Sequence, residues 1–480
     1  MPIMSIRVSK SNRMPLKNIE QTAWLPDLLY TNGRFESGLA LICSGDGLIK
    51  EIIPEQYLTG EHKVLRLANR AILPAMVNAH SHSFQRVIRG RTEYKTSGED
   101  SFWTWREAMY KAAEMLTPED VYDAARMCFL EMALSGISAV GEFHYLHHQP
   151  DGTFYEDPNI LAKEVIRAAE DIGIRIALLR VAYFRSGFNK EPNPRQSRFI
   201  EKDVDTYLKH LSDLQSAGLN PQSAIGTAPH SLRAVPLNQF RDVAVYANQN
   251  NLPIHSHVSE QVADVESCLE EYGKTPVAVL HENGLLNERF VGVHTIHISE
   301  EEAAMLAETN SIVCACPTTE RNLGDGIVPT DLLFERGVRV SLGSDSHTQI
   351  DLLEDARELE YNLRLKHQKR NVLADEEKGI SSLARKLFEC ATKNGAESVG
   401  FDSGEFKPNS KADFFTIDLN DPTIAGANVK DLLACLIFSA TRTAIKDVFV
   451  GGKQIVEDGK HKKQAEIISR FTELQRKLWK

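Results

Sequence analysis

Eight short apolar runs, each leading into polar residues, recur through the middle of the 480-residue chain. Helical patterns separate them, as in Leu352, Ala356, Leu359 and Leu363, whose spacing places all four on one helix face. The runs end at or near His82, Tyr145, Tyr183, His230, His257, His294, Cys316 and Asp345. Eight strand–helix units close into a (β/α)8 TIM-like barrel, an α/β fold whose chemistry lies at the C-terminal ends of the strands. The pattern therefore predicts that these polar residues gather at one mouth of a barrel.

The two ends of the chain show shorter strand patterns separated by turn residues. Asn32-Gly33 and Gly451-Gly452-Lys453 each lie between apolar runs, which is typical of hairpins. We expect residues 1–70 and 402–480 to form one small β-sandwich domain with a C-terminal helix. Residues 71–401 would then form the barrel domain.

Charge and composition narrow the classes of partner. Lys and Arg number 55 against 66 Asp and Glu, so the net charge of −11 argues against nucleic acid and anionic membranes as partners. Local arginines can still bind a small anionic substrate. No apolar run reaches the ~18 residues of a membrane-spanning helix. The seven cysteines lie mostly in apolar runs, which indicates reduced thiols and a cytoplasmic protein.

The first twenty residues are basic and contain several serines. Arg7, Lys10, Arg13 and Lys17 stand against Glu20. A transit peptide has a similar composition, but the simpler interpretation is a basic leader without fixed structure. The order of charged and apolar residues is not that of a signal peptide.

His80-Ser81-His82 follows the first apolar run of the predicted barrel. Side chains at i and i+2 of a strand share a face, so both imidazoles can reach one metal ion. A catalytic zinc or iron site takes three or four nitrogen and oxygen ligands. His255 or His257 offers a further imidazole on the fifth strand, and Asp345 offers a carboxylate on the eighth. The alternative is a set of unrelated polar residues at strand ends, but ligand types at matching positions favour a metal site.

His144, His147 and His148 form a second group of histidines. We expect His144 to point toward the helices, away from the face of Tyr145, and the other two to lie in a loop. None of the three is expected to bind the metal.

The ligand pattern and the split sandwich together resemble the amidohydrolase superfamily over nearly the whole chain. Glu260 follows His257 by three residues. A Glu at this position resembles the pattern of a subgroup of aminohydrolases that act on C=N bonds with one metal ion. The resemblance implies that His257 is the ligand and that His255 belongs to the core. The run 224–230 on the fourth strand contains no Lys, whereas two-metal relatives carry a bridging Lys there, so one metal is favoured.

The same resemblance implies a cofactor and a division of roles. One divalent ion is expected, zinc by default with iron as the alternative. Its expected ligands are His80, His82, His257 and Asp345. Asp345 is further expected to accept a proton from water, His294 to orient that water, and Glu260 to carry protons to the substrate nitrogen.

Five longer motifs narrow the resemblance: residues 80–86, 101–107, 142–148, 228–233 and 316–326. They resemble the formimidoylglutamate deiminase family. This implies hydrolysis of N-formimidoyl-L-glutamate to N-formyl-L-glutamate and ammonia in histidine degradation, by a homodimer. The substrate has two carboxylates, and Arg is the residue suited to them. The substrate-binding residues that the resemblance implies are Gln85, Arg106, Tyr145, His230 and Arg233.

Two other functions remain as alternatives. Another single-metal aminohydrolase of this fold could act on a nucleobase or nucleoside, but its pocket would need aromatic stacking and amides in place of two arginines. A non-catalytic scaffold would usually lack several ligands. The segment from Gly187 to Arg198 looks longer than the resemblance requires, and the sequence assigns it no role.

Overall fold

The computed structural model describes residues 21–94, 102–379 and 381–480. The basic leader and the first residue of the 101–107 motif therefore lie outside the described residues. Five strands precede the barrel: β1 (Gln21–Thr31), β2 (Arg34–Glu36), β3 (Leu39–Ser44), β4 (Ile49–Pro54) and β5 (His62–Pro74). They belong to a nine-stranded mixed sheet that also takes strands from the C-terminal part of the chain.

The barrel consists of eight parallel strands in sequential order. They are β6 (Met76–Ser81), β7 (Ile137–His144), β8 (Arg175–Ala182), β9 (Ser223–Pro229), β10 (Ile254–Val258), β11 (Phe290–His294), β12 (Ile312–Ala315) and β13 (Arg339–Leu342). A parallel bridge between Ser81 and Asp345 brings the last strand back to the first. Each strand coincides with a predicted apolar run, so the predicted barrel is confirmed.

The helices that alternate with these strands cover the outside of the barrel. Through the barrel region they are α1 (Phe102–Met115), α2 (Pro118–Leu134), α3 (Ile160–Ile172), α4 (Val204–Gln215), α5 (Leu237–Gln249), α6 (Val262–Tyr272), α7 (Pro276–Glu282), α8 (Glu300–Glu308), α9 (Pro317–Leu323), α10 (Thr330–Glu335), α11 (Leu352–His367), α12 (Ser382–Ala391) and α13 (Lys393–Ser398). The four apolar residues predicted to share a helix face are all buried on α11. Thr117 begins α2 with a capping box to Asp120.

The remaining elements complete the mixed sheet and end the chain. They are β14 (Phe414–Asp418), α14 (Leu432–Phe438), β15 (Ile445–Val450), β16 (Lys453–Glu457), β17 (Lys460–His461) and α15 (Gln464–Leu478). β14 pairs with β5, which joins the two ends of the chain in one sheet. Gly451 and Gly452 make the predicted turn between β15 and β16 with positive φ angles of 56° and 70°. The domain boundaries at 70/71 and 401/402 stay a prediction.

Two close backbone approaches, one at each end, shape the barrel. A Cβ on Gly343 would lie 2.7 Å from the Cβ of His80, so glycine lets the end of β13 approach β6. At the opposite end, α13 closes the barrel, where Gly395 lies against the backbone of Val77. No helix among the described residues is long and apolar enough to cross a membrane.

Candidate metal centre and active site

Four predicted ligands meet at the mouth of the barrel. His80 and His82 come from the end of β6, His257 from β10, and Asp345 from the segment after β13. One ligand atom of each lies within 4.8 Å of all the others. The Nε2 atom of His80 is 3.1 Å from Nε2 of His82 and 3.2 Å from Nε2 of His257. Oδ1 of Asp345 lies 3.4 Å and 3.2 Å from Nε2 of His80 and His82.

These spacings match the ligand shell of one small cation. Ligands about 2.0–2.1 Å from a tetrahedral zinc ion are separated by roughly 3.3–3.4 Å along the edges of the tetrahedron. Nδ1 of His82 contacts the carbonyl oxygen of Phe143 at 2.9 Å, and Nδ1 of His257 contacts that of His230 at 3.2 Å. A carbonyl accepts only from an N–H, so both rings carry their proton on Nδ1 and direct an Nε2 lone pair inward.

Those inward lone pairs need a positive charge between them. Among these groups only His80 can carry a hydrogen on its Nε2. One hydrogen cannot satisfy the lone pairs of His82 and His257 and the carboxylate of Asp345 together. Burial lowers the pKa of His80 to about 3, and burial also lowers the pKa of His257 well below its usual value. These two imidazoles are therefore neutral, as metal ligands must be. The donor set thus fits a divalent ion, and its nitrogen and oxygen atoms suit zinc or iron.

Glu260 and His294 lie beside this group. Nε2 of His294 is 3.7 Å from Oε1 of Glu260 and 3.8 Å from Oδ2 of Asp345. Burial raises the pKa of Glu260, although the charges of His294 and Arg233 oppose the rise. A carboxyl group with a raised pKa can hold and release a proton near neutral pH. His294 and Asp345 have positive φ angles of 67° and 44°, a backbone strain that is concentrated at functional sites.

Glu320 was not predicted from the sequence. It contacts the Nδ1 side of the His294 ring, opposite to the Nε2 atom that faces Glu260 and Asp345. Its Oε1 is 3.1 Å from Nδ1 of His294 and accepts a 2.8 Å hydrogen bond from the backbone N–H of Cys316. Burial lowers the pKa of His294, but the carboxylates of Glu260, Glu320 and Asp345 outweigh it and raise that pKa to about 10. Glu320 lies within the 316–326 motif, which was the only signal for it in the sequence.

The five predicted substrate-binding residues line one cavity with the centre. Nε2 of Gln85 donates to the hydroxyl of Tyr145 at 2.7 Å, and the Tyr145 ring lies 5.1 Å from that of His82. The His230 ring is 4.8 Å from that of His257. Arg233 donates to Asp264 at 2.7 Å. The residues that line the cavity are His82, Gln85, Trp105, Arg106, Met109, Tyr110, Tyr145, Tyr183, Phe199, His230, Arg233, His257, Glu260, His294, Leu323 and Asp345.

A hydrogen-bonded network lies behind the first two ligands. Ser81, between them in sequence, donates to Oε2 of Glu142 at 2.5 Å, and its hydroxyl is 3.1 Å from Nε2 of His347. The backbone N–H and hydroxyl of Ser83 both donate to Oε1 of Glu142, at 2.7 and 2.6 Å. Ser81 and Ser83 flank His82 in sequence, so this network anchors the backbone that carries His82.

The histidines expected to be unrelated to the metal lie elsewhere. Nε2 of His255 contacts the carbonyl of Ser398 at 2.8 Å in the barrel core. His147 and His148 are buried in the segment after β7, and their Nε2 atoms contact the carbonyls of Val181 and Ile200. None of them belongs to the group of four converging ligands.

Comparison with known proteins identifies the family. A formimidoylglutamate deiminase of Pseudomonas aeruginosa is 36% identical over 92% of this chain and 94% of its own length. A 5-methylthioadenosine/S-adenosylhomocysteine deaminase of Pyrococcus furiosus is 27% identical over 86% of this chain and 90% of its own. An amidohydrolase from Brucella melitensis superposes with a TM-score of 0.85 and 32% identity, covering 96% of this chain and all of its own.

A zinc-bound adenosine deaminase from Xanthomonas campestris shares the fold at 20% identity, with a TM-score of 0.79 and coverage of 95% and 98% of the two chains. The family model for amidohydrolases matches residues 71–455. This match takes in the whole barrel and the strands β14 and β15 of the mixed sheet. The chain belongs to the amidohydrolase family.

Proposed function

We propose that the protein hydrolyses N-formimidoyl-L-glutamate to N-formyl-L-glutamate and ammonia, a step of histidine degradation. The main support is one cavity that joins four converging metal ligands, a buried carboxyl group and two arginines. The 36% identity with a formimidoylglutamate deiminase over most of both chains supports the same reaction. A substrate with an amidine group and two carboxylates requires a metal ion to activate water, a carboxyl group to carry protons, and arginines to bind its carboxylates.

The ligands of the proposed ion are His80, His82, His257 and Asp345. We propose zinc, with iron as the alternative, because the donors are three imidazoles and one carboxylate. When bound, such an ion supplies Lewis acidity and lowers the pKa of water toward neutrality.

The residues around the ion handle the protons of the reaction. Water adds to the formimidoyl carbon, and the imino nitrogen must gain protons before it leaves as ammonia. Glu260 is the group suited to this transfer because burial raises its pKa. Asp345 presents its Oδ2 toward His294 and is suited to accept a proton from water, while His294 orients that water. Glu320 and the backbone of Cys316 fix the ring of His294.

The arginines provide the anion-binding part of the pocket. Arg106 on α1 and Arg233 after β9 line the cavity beyond the ligands. Both can donate two parallel N–H bonds to a carboxylate. Gln85, Tyr145 and His230 line the same cavity. A nucleobase has no carboxylate to pair with these charges, which disfavours the alternative substrate class.

Two properties of the whole protein belong to this proposal. All seven cysteines are free, which suits a cytoplasmic enzyme. The family resemblance supports a homodimer.

The decisive experiment measures ammonia release from N-formimidoyl-L-glutamate, guanine, cytosine, adenosine and 5-methylthioadenosine, with metal content determined on the same sample. We expect activity on the first compound alone and about one metal ion per chain. Preference for a nucleobase or nucleoside would replace the proposal with the alternative aminohydrolase. Bound metal with no activity on any compound would favour a scaffold.

Two sets of variants test the assigned roles. Glu260→Gln should lower turnover by about 10²-fold or more with metal retained, whereas Glu270→Gln on the exposed face of α6 should not. Near-normal turnover in Glu260→Gln would remove it from the mechanism. Arg106→Met and Arg233→Met should each raise KM about 10- to 100-fold, unlike Arg241→Met on α5. Unchanged KM values would show that the carboxylates bind elsewhere.

A further inference from the structure

The long segment between β8 and α4 includes residues 187–198, to which the sequence assigned no role, and places one buried side chain of that stretch against two residues of the substrate cavity. Gln196 ends a short 3-10 helix (Pro194–Gln196) in this segment and is 1% exposed. Its Nε2 donates to the hydroxyl of Tyr110 at 2.7 Å and to that of Tyr183 at 2.8 Å. One amide group therefore bridges two tyrosines that come from α1 and from the end of β8.

Both tyrosines line the cavity and are almost completely buried, with 2% and 3% of their surface exposed. A tyrosine hydroxyl can accept one hydrogen bond and still donate its own hydrogen. Each hydroxyl accepts from Gln196, and within the described residues neither donates to another group. Burial raises the pKa of both tyrosines, so they keep their hydrogens at neutral pH. The two tyrosines therefore offer the cavity two O–H groups that can each donate a hydrogen bond to a substrate oxygen.

The two tyrosines lie farther from the metal ligands than Tyr145 and His230 do. The Tyr183 ring is 4.7 Å from that of His230, which in turn contacts His257. The Tyr110 ring packs at 5.7 Å against Phe199, and Phe199 packs at 5.0 Å against Tyr145. Each tyrosine is thus separated from the ligands by at least one further ring.

The substrate has a matching order of groups. Its formimidoyl carbon must reach the metal ligands and Glu260. Along its chain the α-carboxylate comes next, and the side-chain carboxylate is the group farthest from the reacting carbon. The guanidinium of Arg106 lies 5.5 Å from the centre of the Tyr110 ring, so positive charge is present in the same outer layer.

We propose that Tyr110 and Tyr183 donate their hydroxyl hydrogens to the side-chain carboxylate of the substrate, with Gln196 holding the pair in place. The inference rests on the proposed function and assigns that carboxylate to the outer layer. Tyr110 and Tyr183 are specificity-determining residues because they touch the substrate. Gln196 is a positioning residue because it acts through them.

The test compares two substrates in the metal-loaded enzyme. N-formimidoyl-L-glutamate carries the side-chain carboxylate, and N-formimidoyl-L-glutamine replaces it with a neutral amide. Tyr110→Phe and Tyr183→Phe should each lower kcat/KM for the glutamate compound about 10- to 100-fold, because a hydrogen bond to a charged group is lost. The loss should fall on KM and be smaller for the glutamine compound, whose neutral amide oxygen accepts a weaker hydrogen bond. Where turnover of the amide is slow, inhibition by N-formyl-L-glutamate and N-formyl-L-glutamine gives the same comparison.

Gln196→Met should weaken the same discrimination without loss of metal, and Gln196→Glu, whose acceptors would compete for the tyrosine hydrogens, should do so as well. Tyr246→Phe on α5, whose hydroxyl bonds to Gln215 far from the cavity, is the matched control and should change neither substrate. Equal losses on both substrates, or no loss on either, would overturn the assignment. If the unmodified enzyme hydrolyses neither compound, the proposed function itself fails. That result differs from an active enzyme whose activity does not depend on the two tyrosines.

Discussion

Two buried clusters of histidines lie in this barrel, and their nitrogen atoms are used in opposite ways. The metal cluster consists of His80, His82, His257 and Asp345. The Arg180 cluster consists of His147, His148 and His210 around the ion pair of Arg180 with Glu201, whose atoms Nη2 and Oε1 are 2.7 Å apart. Burial does not separate the two clusters, because all of these histidines are at least partly buried.

The direction of the ring nitrogens does separate them. In the metal cluster backbone carbonyls contact Nδ1 of His82 and His257, which leaves the Nε2 atoms to converge. In the Arg180 cluster backbone carbonyls contact Nε2 of His147 and His148, at 2.9 and 3.0 Å. Among the described residues, the ring nitrogens that remain there do not converge with other ligand atoms into a group that could hold a metal ion. A histidine-rich cluster indicates a metal site only when its free nitrogens point to a common centre.

The largest expected difference between the clusters is in metal content. His257→Gln should lose the ion and lower activity about 10³-fold or more, since an ion stabilises the transition state by several kcal/mol. His147→Gln is the matched control, because a glutamine amide can still donate to the Val181 carbonyl. Metal analysis and ammonia release on both variants check this. Equal loss of metal from the two would contradict the distinction.

The next effect is on stability and belongs to the Arg180 cluster. Arg180→Met leaves the buried Glu201 carboxylate without its charge partner, so the free energy of unfolding should fall by about 3–5 kcal/mol. Metal content should stay at the wild-type value. Denaturation in urea measures the first and metal analysis the second.

An exposed ion pair provides the control for that variant. Arg167 on α3 contacts Glu119 and Glu164 with 46% of its side chain exposed. Arg167→Met should therefore cost less than about 1 kcal/mol. If Arg180→Met instead lost its metal at unchanged stability, the cluster would be part of the metal site.

The convergence of the ligands was predictable because it depends on backbone geometry. Strand alternation places His80 and His82 on one face, and the topology of a parallel barrel brings the ends of β10 and β13 to the same mouth. The family resemblance, and not geometry, chose His257 over His255. In the structure His257 belongs to the group of four converging side chains, and His255 is directed to the Ser398 carbonyl in the core.

The partners of these residues were not predictable in the same way. Gln196 meets Tyr110 and Tyr183 through an irregular segment, and no periodic pattern determines where such a segment places a side chain. In the sequence, only its place within the 316–326 motif pointed to Glu320. Its contact with His294 depends on how α9 begins after β12, which the sequence leaves open.

A smaller effect tests the network behind the metal cluster. Ser81→Ala removes the hydrogen bond to Glu142 and the contact with His347, so metal affinity should fall about 10- to 100-fold. Competition with a chelator at fixed pH measures this. Ser138→Ala on β7 is the control, because this buried hydroxyl has no hydrogen-bond partner among the described residues. Equal affinities in the two variants would show that the network does not support the ligands.

The smallest effect is the pH dependence that Glu201 gives to stability. Burial alone would raise the pKa of Glu201, but the hydrogen bond with His210 and the charge of Arg180 lower it well below its usual value of 4.5. A carboxyl group with a lowered folded-state pKa stabilises the fold above its unfolded pKa and loses that contribution as the pH falls toward the folded value.

The stability difference between wild type and Glu201→Gln should therefore shrink as the pH falls below 4.5. Glu308→Gln, at a side chain that is 75% exposed, should differ from wild type by only a small amount. Urea denaturation between neutral and acidic pH measures both differences. A Glu201→Gln difference that stayed constant below pH 4.5 would mean that Arg180 and His210 do not hold this carboxylate in its charged form, and the cluster would then owe its stability to packing.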